Sequence, residues 1–329
     1  MDLSAAAVAS CPACGTPGAA ADHFCEQCGA ALDAGAEPVA AGCHACGALA
    51  VGADGWCAVC GARGRPASDR VELDLAVAAA VSDRGRVHRR NEDAFHLELV
   101  ADRGVAAVVC DGVSSAAAGD LAARTAARTA GAILAEAIAD PTSDGQAATL
   151  AAIGAAHAAV GEVPWELETD RALPSCTLVS VVSRGGEVVV GWLGDSRAYW
   201  ISPEEERQLT VDDSWATEEV AAGRMTPEEA AGDRRFHAIT HWVGADSPDR
   251  PPGVLTFRPA APGRLVLCTD GLWNYAPGAG ELAALVGALP REAATAAVCR
   301  SLTETALARG GRDNITVAVI DVDPAGSRS

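Results

Sequence analysis

The 329-residue chain has no lysine: all 25 of its basic residues are arginine. That absence excludes Schiff-base chemistry on a lysine and the lysine of a P-loop phosphate clamp. No G-x-G-x-x-G or Walker pattern occurs either. Nowhere do about 18 apolar residues run uninterrupted, so no membrane-spanning helix is expected. Met1 to Ser10 holds no basic cluster, which makes a poor secretory signal; a cytoplasmic protein is expected. Bases are also few: 44 acids oppose them, for a net charge of −19. Such a field repels nucleic acid and anionic membrane surfaces. What remains is ordinary for a folded protein, 49% hydrophobic and 21% charged. The length suggests roughly two domains.

Eight of the 12 cysteines fall in the first 60 residues. Cys11, Cys14, Cys25 and Cys28 form one C-x2-C-x10-C-x2-C group, and Cys43, Cys46, Cys57 and Cys60 repeat it. A spacing of two puts two thiolates on one tight knuckle, and two knuckles close a tetrahedral shell around zinc. Gly15, Gly29, Gly47 and Gly61 follow the second cysteine of each pair, where a knuckle turn favours glycine. The paired grammar argues for two structural Zn2+ sites rather than a disulfide framework. His23 and His44 are bystanders, since four thiolates already fill each site. Each ribbon has too few apolar residues for a core, so metal must supply its folding free energy. Residues 1–66 carry six acids and two bases; two tetrathiolate zinc sites bring the net charge to about −8. DNA binding is thereby disfavoured and a protein-interaction or spacer role favoured. The module is similar to the tandem zinc ribbons fused to many bacterial signalling proteins.

Residues 61–70, GARGRPASDR, read as a linker. Beyond it, Leu73–Val81, Ala94–Val100, Val105–Cys110, Thr177–Ser183, Glu187–Leu193, Arg197–Ile201, Leu265–Thr269 and Ile315–Val322 read as strands. Ala116–Ala139, Gln146–Val160, Glu281–Gly287 and Arg291–Arg309 read as helices. Asp213–Gly232 looks like a helical insertion, with Thr226-Pro227-Glu228-Glu229 as a capped start. Hairpin-linked strands and paired helices imply antiparallel sheets flanked by helices. Five acidic blocks stand at or near strand ends: Asn91-Glu92-Asp93, Cys110-Asp111-Gly112, Gly194-Asp195-Ser196, Thr269-Asp270-Gly271 and Asp313-Asn314. Turns favour Asp and Gly in their own right. Five acids converging at one end of a sandwich, however, repel one another unless hard divalent cations intervene.

In order and content these blocks resemble the metal-dependent protein phosphatase family, the type 2C Ser/Thr phosphatases, especially its bacterial members. The likeness covers about residues 72–323. It is carried by Ser82-Asp83-Arg84-Gly85 through Asn91-Glu92-Asp93-Ala94, Asp111-Gly112, Ala118-Gly119-Asp120, Ser175-Cys176-Thr177-Leu178, Gly194-Asp195-Ser196-Arg197, Thr269-Asp270-Gly271-Leu272-Trp273 and Asp313-Asn314-Ile315-Thr316-Val317. The resemblance implies an α+β fold, a four-layer α-β-β-α sandwich over residues 67–329 preceded by the double zinc-ribbon module of residues 1–66. It implies a dinuclear Mn2+ or Mg2+ centre, bridged by Asp111 and contacted by the Gly112 carbonyl. Asp270 and Asp313 would hold one ion, and Glu92 and Asp93 the other side. Asp195 would help hold a third, weaker one. Metal-activated water would then hydrolyse phosphoserine and phosphothreonine on protein substrates, with a Ser/Thr kinase as a plausible partner.

The pattern also departs from the family. Many members place a phosphate-gripping Arg where this chain has His88, followed by Arg89 and Arg90. His88 or Arg89 is expected to take that role. Val113 replaces a histidine found after the Asp-Gly in some relatives, and Asp213 stands where many bacterial ones carry His. A catalytically weak or inactive scaffold acting through the ribbons is therefore the alternative. Cys110, Cys176, Cys268 and Cys299 sit in apolar surroundings outside any C-x5-R motif and need no catalytic role.

Overall fold

The computed structural model describes residues 9–10, 17–18, 48, 57–61, 69–101, 103–165 and 172–324. The chain divides into two compact units, Met1–Arg65 and Pro66–Ser329. In the first, Ala9–Ser10 (β1) pairs antiparallel with Pro17–Gly18 (β2). Cys57 is buried, Cys60 is exposed, and Gly61 N donates to the Cys57 carbonyl at 2.8 Å. The other six ribbon cysteines, Cys11, Cys14, Cys25, Cys28, Cys43 and Cys46, lie outside the described residues.

The second unit contains two antiparallel sheets. One runs β10 (Glu206–Gln208), β9 (Arg197–Ile201), β12 (Gly263–Cys268), β13 (Ile315–Val322), β4 (Ala78–Asp83) and β3 (Arg70–Asp74). The other runs β11 (Gly253–Phe257), β8 (Glu187–Leu193), β7 (Leu178–Arg184), β6 (Gly104–Asp111) and β5 (Asp93–Val100). Their strands are apolar almost throughout because both faces are covered. In β6, Val105, Ala107 and Val109 enter the core between the sheets. Ala106, Val108 and Cys110 point the other way, onto α1 (Gly119–Ala139) and α2 (Gly145–Gly161). In β12, Leu265 and Leu267 face inward. Val266 and Cys268 face α5 (Asp270–Trp273), α6 (Ala279–Gly287) and α7 (Thr295–Ala308). A period of two thus feeds two cores from each strand. The layers are helix, sheet, sheet, helix, as the sequence implies.

The register gathers specific strand ends at one edge of the sandwich. Asp93 opens β5 opposite Asp111, which closes β6. Ile315 opens β13 opposite Asp83, which closes β4. Cys268, the last residue of β12, pairs with both Arg197 and Val317. Asp195 and Asp313 fall in the turns leading into β9 and β13.

Some elements differ from the sequence reading. Leu73–Val81 reads as one strand but is two, β3 and β4, which pair with each other. The chain reverses at Ala76, which has φ 66 and whose N–H donates to Asp74 Oδ1 at 2.9 Å. That local Asx bond overrides the apolar run. Helix α7 begins at Thr295 rather than Arg291. The expected insertion holds two short helices, α3 (Trp215–Ala221) and α4 (Pro227–Ala231), and Thr226 caps α4 in a full capping box. Strands β10 and β11, each five residues or fewer, escape notice in the sequence.

Gly85 has φ 75, and a Cβ there would lie 2.1 Å from the Asp313 carbonyl oxygen. No backbone shift relieves both the dihedral and the contact. Gly85→Ala is expected to cost about 2–4 kcal/mol, read as a lowered denaturation midpoint by circular dichroism.

Candidate metal centre

Two acids face each other across a strand pair. Asp93 and Asp111 are direct partners in the β5–β6 ladder, a placement that is destabilising when both are charged. Burial and the Coulomb field both act on them. Burial pushes the Asp93 carboxyl up to about 8, with Asp270 and Asp313 adding repulsion; hydrogen bonds from Thr316 and Thr269 pull the other way. Asp111 is driven well above the usual carboxylate range, first by burial and then by Asp93, Asp270, Asp313 and Asp195. Asp270 opens α5 and rises to about 7, through burial and the neighbouring Asp313. Asp195 is raised by burial and by Asp270. Five scattered segments therefore deliver acids into one another's field.

Their oxygens are incompletely satisfied. Thr269 Oγ1 donates to Asp93 Oδ2 at 2.9 Å, and Asn274 Nδ2 donates to Asp270 Oδ2 at 3.2 Å. The other oxygen of each, Asp93 Oδ1 and Asp270 Oδ1, is buried without a hydrogen-bond partner. Among the described residues no group of three or more His, Cys, Asp or Glu side chains is already placed to hold a metal ion. Orphaned, mutually repelling carboxylate oxygens nevertheless fit hard oxygen-seeking dications, which neutralise them and take up the vacant lone pairs. Gly112 follows directly, and a Cβ there would meet the Gly119 carbonyl at 2.5 Å and the Glu92 carbonyl at 2.6 Å. Only glycine lets these three backbones approach, and its N–H donates to the Glu92 carbonyl at 3.1 Å.

Asn314 organises the loop that carries Glu92. This buried side chain donates from Nδ2 to the carbonyls of Arg84 at 2.8 Å and Arg90 at 3.1 Å. Its Oδ1 accepts from Glu92 N at 2.8 Å. A hydroxyl chain lies behind it: Ser82 Oγ is 2.7 Å from Thr316 Oγ1, and Thr269 Oγ1 accepts from Thr316 N while donating to Asp93. The sequence reading names Asn314, Thr269 and Thr316 as parts of motifs without giving them these supporting tasks. A polar residue beside each acid is the only trace they leave in sequence.

The remaining candidates are placed as follows. His88 Nε2 lies 3.1 Å from Asp313 Oδ1. Arg89 is exposed, and Arg90 Nη1 lies 3.6 Å from Asp120 Oδ1. The Asp195 carbonyl accepts from Trp273 Nε1 at 2.9 Å. Arg197 stacks over the Trp273 ring at 3.9 Å and grips Asp212 at 2.6 Å. Asp213 Oδ2 accepts from Gly194 N at 3.0 Å and lies 3.6 Å from His241 Nδ1. In the insertion Trp215 lies under Arg235, Trp242 Nε1 donates to Asp246, and Phe236 meets His237, which stacks on Trp273. These aromatics pack the insertion together. Burial pushes the thiols of Cys268 and Cys299 up to about 12 and raises that of Cys110. Such thiols are poor nucleophiles.

Known proteins share this arrangement of strands. Residues 84–310 match the protein phosphatase 2C family. The serine/threonine protein phosphatase PstP of Mycobacterium tuberculosis is 34% identical over 256 residues, covering 77% of this chain and 46% of the relative. The chain thus spans about half the length of that relative. The serine/threonine phosphatase stp of Listeria innocua is 28% identical over 247 residues, 73% of this chain and 93% of its own. Among solved structures, the Mycobacterium tuberculosis serine/threonine phosphatase PstP/Ppp superposes with a TM-score of 0.61 at 30% identity, covering 75% of this chain and 98% of that one. The catalytic domain of PstP in complex with two manganese ions gives 0.59 at 30% identity, covering 77% and 100%.

The raised carboxyls have a consequence for stability. Asp93 and Asp270 bind protons more tightly folded than unfolded, so the metal-free fold gains stability below the ordinary carboxylate pKa of about 4. It loses that stability as pH rises through about 7 for Asp270 and about 8 for Asp93. Chelated protein is expected to melt at a lower temperature at pH 8.5 than at pH 5.5, and Mn2+ is expected to narrow the gap. A melting temperature that rises over this range in chelator would contradict the assignment.

Proposed function

The chain belongs to the protein phosphatase 2C family, and on that footing we propose that it hydrolyses phosphoserine and phosphothreonine on protein substrates at a two-metal centre. The observation that carries this reading is the facing pair Asp93 and Asp111, with Asp270 beside them and two buried carboxylate oxygens left unpartnered. Asp111 and the Gly112 carbonyl would serve both cations, Asp270 and Asp313 would hold one, Glu92 and Asp93 the other, and Asp195 would help hold a third. When bound, paired Mn2+ or Mg2+ ions lower the pKa of a water and screen the phosphoryl oxygens.

The chain's own residues do the rest. Thr269 and Asn274 fix one oxygen each of Asp93 and Asp270 and leave the other unpartnered, where it would serve a bound cation. Asn314 holds the Glu92 loop against the turn that bears Asp313. His88 is engaged with Asp313 and steadies that carboxylate. The exposed guanidinium of Arg89 is the group left to meet the phosphate. Water is the attacking group, since the four cysteines of the domain are buried. The complete set of acids favours an active enzyme over an inert scaffold. No helix among the described residues is long and apolar enough to cross a membrane. A Ser/Thr kinase that phosphorylates the same substrates is the natural counterpart.

For the N-terminus we propose, on the C-x2-C spacing alone, that Cys11, Cys14, Cys25 and Cys28 would hold one Zn2+ and Cys43, Cys46, Cys57 and Cys60 a second, each a closed structural site on a protein-interaction module.

Asp111→Asn and Asp270→Ala are each expected to lower Mn2+-dependent hydrolysis of p-nitrophenyl phosphate and of a phosphothreonine peptide by at least about 100-fold. Weaker Mn2+ binding by calorimetry should accompany the loss. Undiminished turnover in both variants would remove the two-metal reading. Elemental analysis of the full chain should return two zinc ions, falling to one in Cys25→Ser; a chain without zinc ends the ribbon assignment.

A further inference from the structure

Six of the 25 basic residues occupy 12 positions, 84–90 and 309–313, in a chain of net charge −19. These segments contain a single acid, Asp313. The fold joins them. Arg86 N donates to the Gly311 carbonyl at 2.7 Å, Arg86 Nε donates to the Leu307 carbonyl at 2.9 Å, and His88 meets Asp313 at 3.1 Å. The combined surface borders the acid cluster, because Asp313 and Asn314 belong to both.

Elsewhere most of the described arginines are neutralised, although Arg103, Arg128, Arg184, Arg234 and Arg291 stand in no described ion pair. Arg70, Arg197, Arg224, Arg235, Arg250, Arg258, Arg264 and Arg300 each lie within 3.2 Å of a carboxylate. At the rim the pattern reverses. Arg84 is paired, with Asp69 at 2.8 Å. Arg86, Arg89, Arg90, Arg309 and Arg312 are exposed. Arg90 shares Asp120 with Arg124, so two guanidiniums face one acid. Arg86 and Arg309 donate to the carbonyls of Leu307 and Tyr275, which leaves their charge intact. Arg89 and Arg312 form no ion pair with any described residue. Four exposed guanidiniums outside any described ion pair, Arg86, Arg89, Arg309 and Arg312, together with Arg90 on a shared acid, set a local positive field beside the acid cluster.

We propose that this rim docks the peptide on either side of the phosphorylated residue and selects segments carrying Asp or Glu next to the phosphoserine or phosphothreonine. The inference rests on the phosphatase reading above and adds a substrate class to it. Guanidiniums suit carboxylates because the planar fork donates two parallel hydrogen bonds. Steering by exposed charges acts on encounter and is screened by salt.

The test uses the full chain with Mn2+ and three phosphothreonine peptides of equal length, flanked by Glu, by Gln or by Arg. The Glu-flanked peptide is expected to have the highest kcat/KM, exceeding the Gln-flanked one by about tenfold at low salt. That preference should shrink as salt is raised to 0.5 M. In Arg86→Glu/Arg312→Glu the ratio of Glu- to Gln-flanked kcat/KM should fall to about one or below, with the melting curve reporting that the fold persists. If the double variant does not fold, the salt series on the unaltered chain decides alone. Equal rates on all three peptides, or a preference for Arg flanks, would overturn the inference while leaving the phosphatase reading standing. Absence of turnover on every phosphopeptide would remove the phosphatase reading and this inference with it.

Discussion

The domain is organised around a repulsion. Asp93 and Asp111 face each other in a strand pair, a place where a sheet ordinarily sets opposite charges, hydroxyls or apolar side chains. Asp270 and Asp313 add to the same field from other segments. Little in the protein relieves this. Thr269 supplies one hydrogen bond to Asp93, Asn274 supplies one to Asp270, and two oxygens are left unmet. The surrounding structure must therefore be rigid enough to hold the acids together against their own charge. It achieves this with apolar strands buried on both faces and with backbones brought so close at Gly85 and Gly112 that no side chain fits between them.

Rigidity is transmitted through a few polar contacts that link distant parts of the chain. Asn314 joins the loop of Glu92 to the turn of Asp313. Trp273 joins α5, which begins with Asp270, to the carbonyl of Asp195. Arg197 lies on the face of that tryptophan and grips Asp212, at the root of the insertion. Asp213 next to it anchors the Gly194 turn. The insertion and the acid cluster thus share one frame, in which each acid is held by a neighbour of different chemistry.

Much of the fold is legible in the sequence because its strands are long, apolar and hairpin-linked, with acids at their ends. Asp93, Asp111, Asp195 and Asp270 could be singled out on that ground, and the structure brings them into one another's field. The turn at Ala76 is not legible, because it is made by a side chain bonding back to the main chain within an apolar run. Strands β10 and β11 are too short to show a period. Asn314 is invisible as a clamp because its partners, the carbonyls of Arg84 and Arg90, lie more than 220 residues away. The engagement of His88 with Asp313 is hidden for the same reason.

Strand β13 is the last of the described elements, yet it lies in the interior of its sheet, between β12 and β4. During synthesis β4 emerges some 230 residues before β13, its partner on the side away from β3. Until β13 inserts, the six-stranded sheet is split into two parts with open edges, and Asp313 and Asn314 are missing from the acid cluster. Long-range pairing of this kind is slow and exposes strand edges meanwhile. The nascent domain can therefore acquire neither its central seam nor its chemistry piecemeal: both arrive together, once β13 has been made and inserted.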